Sequence, residues 1–130
     1  MKETNISLAF SREFQGRMTA RNAESRIGRE AGELAPYDLL LGALGSCYYA
    51  TFVDISKRMR IAYESAVIDI HGVKREEVPE TLQTVTIVLT LKGAVDDQKF
   101  RRAAQLAAKY CSIHETIQKV ADISLEVRIS

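Results

Sequence analysis

The stretch PYDLLLGALGSCYYATFVDISKRM, residues 36–59, decides the fold of this chain. From Leu39 to Val53 it carries no formal charge, and charged side chains occur only towards its two ends. An apolar run of this length without a polar face is typical of a helix that is buried nearly all round. The sequence therefore predicts a central helix over residues 36–59, with one cysteine, Cys47, near its middle.

Both ends of this helix are marked in the sequence. Pro36 suits the first helical turn, where its missing N–H would have had no partner, and Asp38 lies near the positive end of the helix dipole. Lys57, Arg58 and Arg60 lie at the other end, where cations favour the negative pole. We expect the helix to stop around Met59.

The segments on either side of the helix have the composition of strands. Residues 4–10 and 17–27 flank the pair Gln15 and Gly16, which predicts an N-terminal β-hairpin over residues 4–27. The remaining elements occupy residues 63–130. In order they are strands at 63–73 and 82–92, a helix capped by Asp96 or Asp97 and running to Tyr110, a short helix at 113–120 capped by Ser112, and a strand at 122–129.

The order of elements indicates the fold class. It reads β-β-α-β-β-α-α-β, without the strand-helix-strand rhythm of a parallel sheet. We therefore expect an α+β fold, with antiparallel sheets around a long buried central helix. A chain of 130 residues fits a single domain, residues 1–130.

Composition excludes some classes of partner. A formal net charge of +1 provides no basic field for nucleic acid. The N-terminal residues MKETNISLAF lack the apolar core of a signal peptide, and the longest uncharged run is too short to span a bilayer. These features predict a cytoplasmic protein that binds neither nucleic acid nor a membrane.

Two cysteines, Cys47 and Cys111, are the first candidates for chemistry. In a reducing compartment they are reactive, metal-binding or merely buried rather than a permanent disulfide. A thiolate needs a nearby cation or a helix N-terminus, and Cys111 has the second aid at a predicted helix start. Cys47 lies in mid-helix and would need a cation from elsewhere. The N-terminal hairpin offers Arg12, Arg17, Arg21 and Arg26.

Three other interpretations remain open on pattern alone. A single cysteine in an apolar helix is most often a small buried side chain. A zinc site could use both cysteines with His71 and His114, although no CxxC or HxxxH spacing supports it. A binding module is the third, because aromatic residues surround Cys47. Such clusters are usually core or subunit interface, and an apolar helix this long favours a homodimer that shares its core.

The helix and the second cysteine resemble those of the OsmC/Ohr family, the osmotically inducible and organic hydroperoxide resistance proteins. The resemblance rests on a P-x-D/E-L-L-x-x-A-x-x-x-C pattern and on a cysteine before a short helix, in KYCSIHETI. The matching residues are Pro36, Asp38, Leu39, Leu40, Ala43, Cys47 and Cys111.

The resemblance implies an intertwined homodimer with active sites at the subunit interface, and a cysteine-based peroxidase. Cys47 would attack an organic hydroperoxide and become a sulfenic acid, which Cys111 would resolve as a disulfide. A dithiol or lipoyl-type reductant would restore both thiols, and no bound cofactor is implied.

The resemblance also implies an activating arginine from the N-terminal region and a glutamate directly after the helix proline. Arg26, ten residues before Pro36, is our candidate for the arginine. Tyr37 stands at the glutamate position, so either Asp38 or Glu33 would substitute, or the arginine would be oriented differently. Cys-Ser-Ile-His also replaces the usual C-P-x-S. These departures indicate a less typical branch, whose alternative function is small-molecule binding or redox sensing without efficient turnover.

Overall fold

The structure is a computed structural model that describes residues 2–95 and 97–130, apart from the side chain of Asp97. The chain divides into two compact units, Met1–Leu40 and Leu41–Ser130, and a single domain over residues 1–130 stays a prediction. In chain order the elements are β1 (Ser7–Phe10), β2 (Gly16–Thr19), β3 (Glu24–Ile27), α1 (Pro36–Arg58), β4 (Ser65–Lys74), β5 (Leu82–Lys92), α2 (Asp97–Tyr110), α3 (Ser112–Gln118) and β6 (Asp122–Ile129).

The N-terminal unit contains a three-stranded antiparallel sheet in the order β1-β2-β3. The predicted hairpin is present, but its second arm is not one strand. The chain turns between Thr19 and Glu24, where the N–H of Ala20 donates to the carbonyl of Ala23 over 2.8 Å. The polar run ARNA interrupts the β-pattern there and supplies the turn, so residues 17–27 form two strands.

Helix α1 begins and ends as predicted, within one residue. At its start a carboxylate oxygen of Asp38 accepts a hydrogen bond from the N–H of Ala35, at 2.8 Å. At its end the N–H of Ile61 donates to the carbonyl of Ser56 over 3.1 Å, and Arg60 has a left-handed φ of 56°. This is the pairing of a Schellman motif, which satisfies carbonyls left open by the last helical turn.

Within one chain, helix α1 is only partly buried. Five of its residues are buried: Leu44, Gly45, Tyr48, Phe52 and Ser56. Leu40 is 38% exposed, and several other apolar residues of the helix are half-buried. One chain therefore covers a single face of the helix.

The uncharged run at residues 39–53 is part of a longer helix that also contains charged residues. Residues Pro36–Arg58 form a helix that is long and apolar enough to cross a membrane, with a mean hydropathy of 1.3. The core helix of a soluble protein meets the same criterion.

The C-terminal unit is organised on a second sheet, in the order β4-β5-β6. Strands β4 and β5 pair antiparallel, as the predicted hairpin requires. Strand β6 pairs with β5 in parallel, which contradicts the expectation of purely antiparallel sheets. The reason is that α2 and α3 act together as a crossover that returns the chain to the same end of the sheet. The α+β class itself is confirmed.

Helix α1 lies closely against β4 and α2. A Cβ added at Gly45 would come within 3.3 Å of a side-chain carbon of Ile70, so the absence of a side chain permits this approach. On the neighbouring face, the Tyr48 hydroxyl donates to the carbonyl of Ala104 in α2 over 2.9 Å.

The predicted apolar face of α2 is confirmed by burial of Phe100, Ala103, Ala104 and Ala107. The proposed cap at Asp96 lies outside the described residues.

Two substitutions of Tyr48 should destabilise the protein to different extents. Tyr48→Phe removes one buried hydrogen bond and should lower the free energy of unfolding by about 1 kcal/mol. Tyr48→Ala also leaves a cavity and should cost about 3 to 5 kcal/mol. Urea denaturation measures both values. Tyr110→Phe is the control, since Tyr110 is exposed and should change little. Equal unfolding free energies for wild type and Tyr48→Ala would contradict the packing described.

Candidate active site

The second cysteine forms the start of α3. Cys111 is the N-cap of this helix, with extended backbone angles, and its sulfur accepts a hydrogen bond from the N–H of His114 over 3.4 Å. The prediction that Ser112 caps the helix is therefore wrong by one residue. Cys111 is only 1% exposed, so its thiol is held inside the protein.

Cys47, on α1, lies beside the first residue of α3. Its sulfur lies 3.7 Å from the hydroxyl oxygen of Ser112. The Cys111 thiol and the backbone N–H groups of Ile113 and Ser112 act on the same sulfur and favour its thiolate form. The fold thus brings Cys47 and Cys111 together, although no local motif joins them in sequence.

The surroundings give the two thiols different acidities. Burial acts to raise the pKa of Cys47, but the N–H of Ile113, the Cys111 thiol and the hydroxyl and N–H of Ser112 stabilise the thiolate, and the pKa is lowered overall. For Cys111, burial raises the pKa first. The hydrogen bond that it gives to Cys47 and the negative charge of Cys47 raise it further. These surroundings therefore favour the thiolate of Cys47 over the thiolate of Cys111.

The start of α3 acts on both thiols. The sequence assigned the advantage of a helix start to Cys111, which does accept the N–H of His114, and left Cys47 dependent on a cation. In the structure, the N–H groups of Ser112 and Ile113 also favour the thiolate of Cys47. Ser112 and Ile113 were missed as site residues, because only the folded chain places them beside α1.

The candidate arginine has an acidic partner in the N-terminal unit. A guanidinium nitrogen of Arg26 lies 3.7 Å from a carboxylate oxygen of Glu33. The Glu33 side chain is 3% exposed and the Arg26 side chain 58%, so the acid is the buried member. The other oxygen of Glu33 accepts the N–H of Glu30 over 2.9 Å. Of the two proposed substitutes for the missing glutamate, Glu33 is the one that pairs with Arg26.

Asp38 has a structural task. Its carboxylate is engaged with the N–H of Ala35, as part of the start of α1. A carboxylate that reaches back to the residue before the first helical turn satisfies an N–H that the helix itself cannot. This bond gives Asp38 a structural role at the start of α1, and its catalytic role stays a prediction.

The residues of the zinc hypothesis form no ligand cluster in the described part of the chain. Within residues 2–95 and 97–130, no three side chains of His, Cys, Asp or Glu gather in a way that could hold a metal ion. His71 is exposed on β4, and His114 is half-buried on α3. Burial lowers the pKa of His114, although the negative charge of Glu115 acts in the opposite direction.

The aromatic residues near Cys47 belong to the core. Tyr48 and Phe52 are fully buried, and the hydroxyls of Tyr49 and Tyr63 hydrogen-bond to each other over 2.8 Å. Phe52, Tyr63 and Phe100 continue this packing, with ring centroids less than 6 Å apart, at 5.7 and 5.9 Å. These side chains pack together beside α1 and α2.

Solved structures share this fold over nearly their whole length. A hypothetical protein from Aquifex aeolicus is 28% identical, with a TM-score of 0.85, and the match covers 100% of this chain and 99% of that chain. An OsmC-like protein from Mycoplasma pneumoniae is 16% identical, with a TM-score of 0.89 and coverage of 98% and 97%. The organic hydroperoxide resistance protein OhrB of Bacillus subtilis is 16% identical, with a TM-score of 0.73 and coverage of 98% of both chains.

Sequence comparison identifies the family. No curated protein sequence matches this chain. The sequence profile described as OsmC-like protein matches residues 29–126, which is well over half of the 130 residues. This region contains both cysteines, α1 and almost all of the second sheet. The chain belongs to the OsmC-like protein family.

Proposed function

We propose that this protein is a thiol-dependent peroxidase that reduces organic hydroperoxides. The observation that carries the proposal is the paired thiol site, in which Cys47 contacts Ser112 beside the buried Cys111, and the surroundings lower the pKa of Cys47 and raise the pKa of Cys111. A peroxidase of this kind needs one thiolate at the pH of the cell and a second thiol held in reserve. The similarity to structures described as organic hydroperoxide resistance proteins supports the same reaction class.

The reaction begins with the Cys47 thiolate. Its electron pair attacks the oxygen that carries the hydrogen, the O–O bond breaks, and the alkoxide leaves with the bonding pair and takes up a proton to become an alcohol. Cys47 is oxidised to a sulfenic acid. Cys111 then attacks the Cys47 sulfur as a thiolate, and hydroxide leaves and becomes water. The product is a Cys47–Cys111 disulfide.

An external dithiol completes the cycle. One of its thiolates attacks the protein disulfide, forming a mixed disulfide, and its second thiol releases the protein with both cysteines reduced. We propose a small dithiol or a lipoyl-type group for this step, in the cytoplasm, where thiols are kept reduced. The half-buried Cys47 is the accessible sulfur, since Cys111 is enclosed.

We also propose that the functional form is a homodimer. One chain leaves Leu40 and other apolar residues of α1 partly exposed. A second copy can cover such a surface through a symmetric interface. Light scattering on the purified protein should give twice the mass of one chain, and a monomer at micromolar concentration would contradict this assembly.

The peroxidase proposal is tested with purified wild-type protein. We expect it to consume cumene hydroperoxide or a fatty-acid hydroperoxide when dithiothreitol or dihydrolipoamide is supplied, at a rate proportional to protein concentration. If neither dithiol supports consumption of either peroxide, the proposal fails. The alternative of a binding or redox-sensing protein would then be preferred.

Arg26 remains our proposal for the activating cation. Arg26→Ala should lower the rate of peroxide consumption by roughly tenfold to a hundredfold, as expected for the loss of one charge-assisted hydrogen bond. Steady-state assays measure the effect. Arg12→Ala, which removes another arginine of the N-terminal segment, is the control and should leave the rate unchanged. An equal rate in Arg26→Ala and wild type would remove Arg26 from the site.

A further inference from the structure

The hydroxyl of Ser112 has one partner in the structure. Its oxygen lies 3.7 Å from the Cys47 sulfur, and within residues 2–95 and 97–130 it makes no other hydrogen bond. Ser112 is the first residue of α3 and is exposed, so solvent and substrate can reach it.

The protonation state of Cys47 decides the direction of this bond. A thiolate has no hydrogen to give, so between Ser112 and the reactive form of Cys47 only the serine hydroxyl can donate. A donor to the charged form stabilises it over the neutral form. The contact is therefore strongest in the state that attacks peroxide.

We propose that Ser112 is a catalytic residue, whose hydroxyl hydrogen-bonds to the Cys47 thiolate and holds it in its reactive form. This role rests on the proposed peroxidase function and assigns one more group to the same site. It differs from that of Cys111, whose thiol also donates to Cys47. Cys111 gives up its hydrogen when it resolves the sulfenic acid, whereas the serine hydroxyl keeps its hydrogen throughout the cycle.

Three substitutions distinguish the effect of the Ser112 hydroxyl from the effect of the backbone at the start of α3. Ser112→Ala removes only the hydroxyl. Ser112→Thr retains it and serves as the conservative rescue. Ser112→Pro removes both the hydroxyl and the backbone N–H that donates to Cys47, while proline suits the first turn of a helix. Ser46→Ala is the matched control, because Ser46 is next to Cys47 in sequence but its hydroxyl donates to the carbonyl of Ala43.

The first measurement is the pH dependence of Cys47 alkylation by iodoacetamide, followed by peptide mass spectrometry. The midpoint should move to higher pH in Ser112→Ala, further in Ser112→Pro, and back towards wild type in Ser112→Thr. Ser46→Ala should leave it unchanged. Identical midpoints in wild type and Ser112→Ala would overturn the inference, whatever the midpoint of Ser112→Pro. This assay needs no peroxide, so it gives an answer even if the peroxidase proposal fails.

The second measurement is the rate of Cys47 oxidation by cumene hydroperoxide near neutral pH. Ser112→Ala should reduce it roughly tenfold, as expected for one hydrogen bond to a charged group, and Ser112→Thr should recover most of the loss. A wild-type rate in Ser112→Ala overturns the assignment while leaving Cys47 as the nucleophile. A slow rate in both Ser112→Ala and Ser112→Thr would also overturn it, because loss of the hydroxyl would then not be the cause.

Discussion

Cys47→Ser should abolish peroxide consumption by this protein. A serine hydroxyl is not ionised near neutral pH, so none of the hydrogen bonds that stabilise the Cys47 thiolate can produce a nucleophile there. Removal of a covalent nucleophile commonly costs roughly ten-thousandfold or more in rate. The assay is loss of cumene hydroperoxide with excess dithiothreitol, corrected for the reaction of the dithiol alone.

The Cys47 variant should fold normally, which makes the result interpretable. Cys47 is half-buried, and serine is close to it in size. Its free energy of unfolding should remain within about 1 kcal/mol of the wild-type value. Cys47→Ser with wild-type activity would show that the peroxide reacts elsewhere, and the assignment of Cys47 as nucleophile would be withdrawn.

Cys111→Ser should separate the first oxidation from turnover. Cys47 remains available to react once, so one equivalent of peroxide should still be consumed and a sulfenic acid should form. No intramolecular disulfide can follow, and steady-state turnover with a dithiol should slow, while over-oxidation of Cys47 at excess peroxide increases. Rapid mixing gives the rate of the first step, and trapping with dimedone identifies the sulfenic acid.

Serine is a suitable replacement at this position for a structural reason. Cys111 caps α3 by accepting the N–H of His114, and serine is among the preferred residues for a helix N-cap. The variant should therefore keep α3 and the N–H groups that it directs at Cys47. Unchanged turnover in Cys111→Ser would contradict the resolving role.

Local signals were sufficient to predict most elements. The ends of α1 followed from Pro36 at the first turn and from the cations at the last, and β6 followed from strict alternation of apolar and polar residues. Each of these signals lies within the segment that it describes. The boundaries of α2 and of the hairpin formed by β4 and β5 were predicted on the same basis.

Features that depend on distant segments were missed. The direction of β6 depends on its pairing with β5 through the α2–α3 crossover, and alternation along one strand contains no information about its direction. The turn at Ala20 also escaped prediction, because the surrounding residues on both sides have strand-like patterns.

In the candidate site too, local features were predicted and features that depend on distant segments were missed. Both cysteines were identified from residue type and resemblance, but which of them is the more acidic depends on contacts across the fold. The N–H groups of Ser112 and Ile113 reach the sulfur of Cys47, a neighbour on another helix. The ion pair between Arg26 and the buried Glu33 likewise follows from the path of the chain after β3, which composition did not reveal.

The most direct test of the central claim is the redox state of the two cysteines after reaction of reduced wild-type protein with one equivalent of cumene hydroperoxide. Non-reducing peptide mass spectrometry should find the Cys47 and Cys111 peptides joined by a disulfide, with the intact protein lighter by two hydrogen atoms. Recovery of both cysteines as free thiols, with the peroxide unconsumed, would contradict the account.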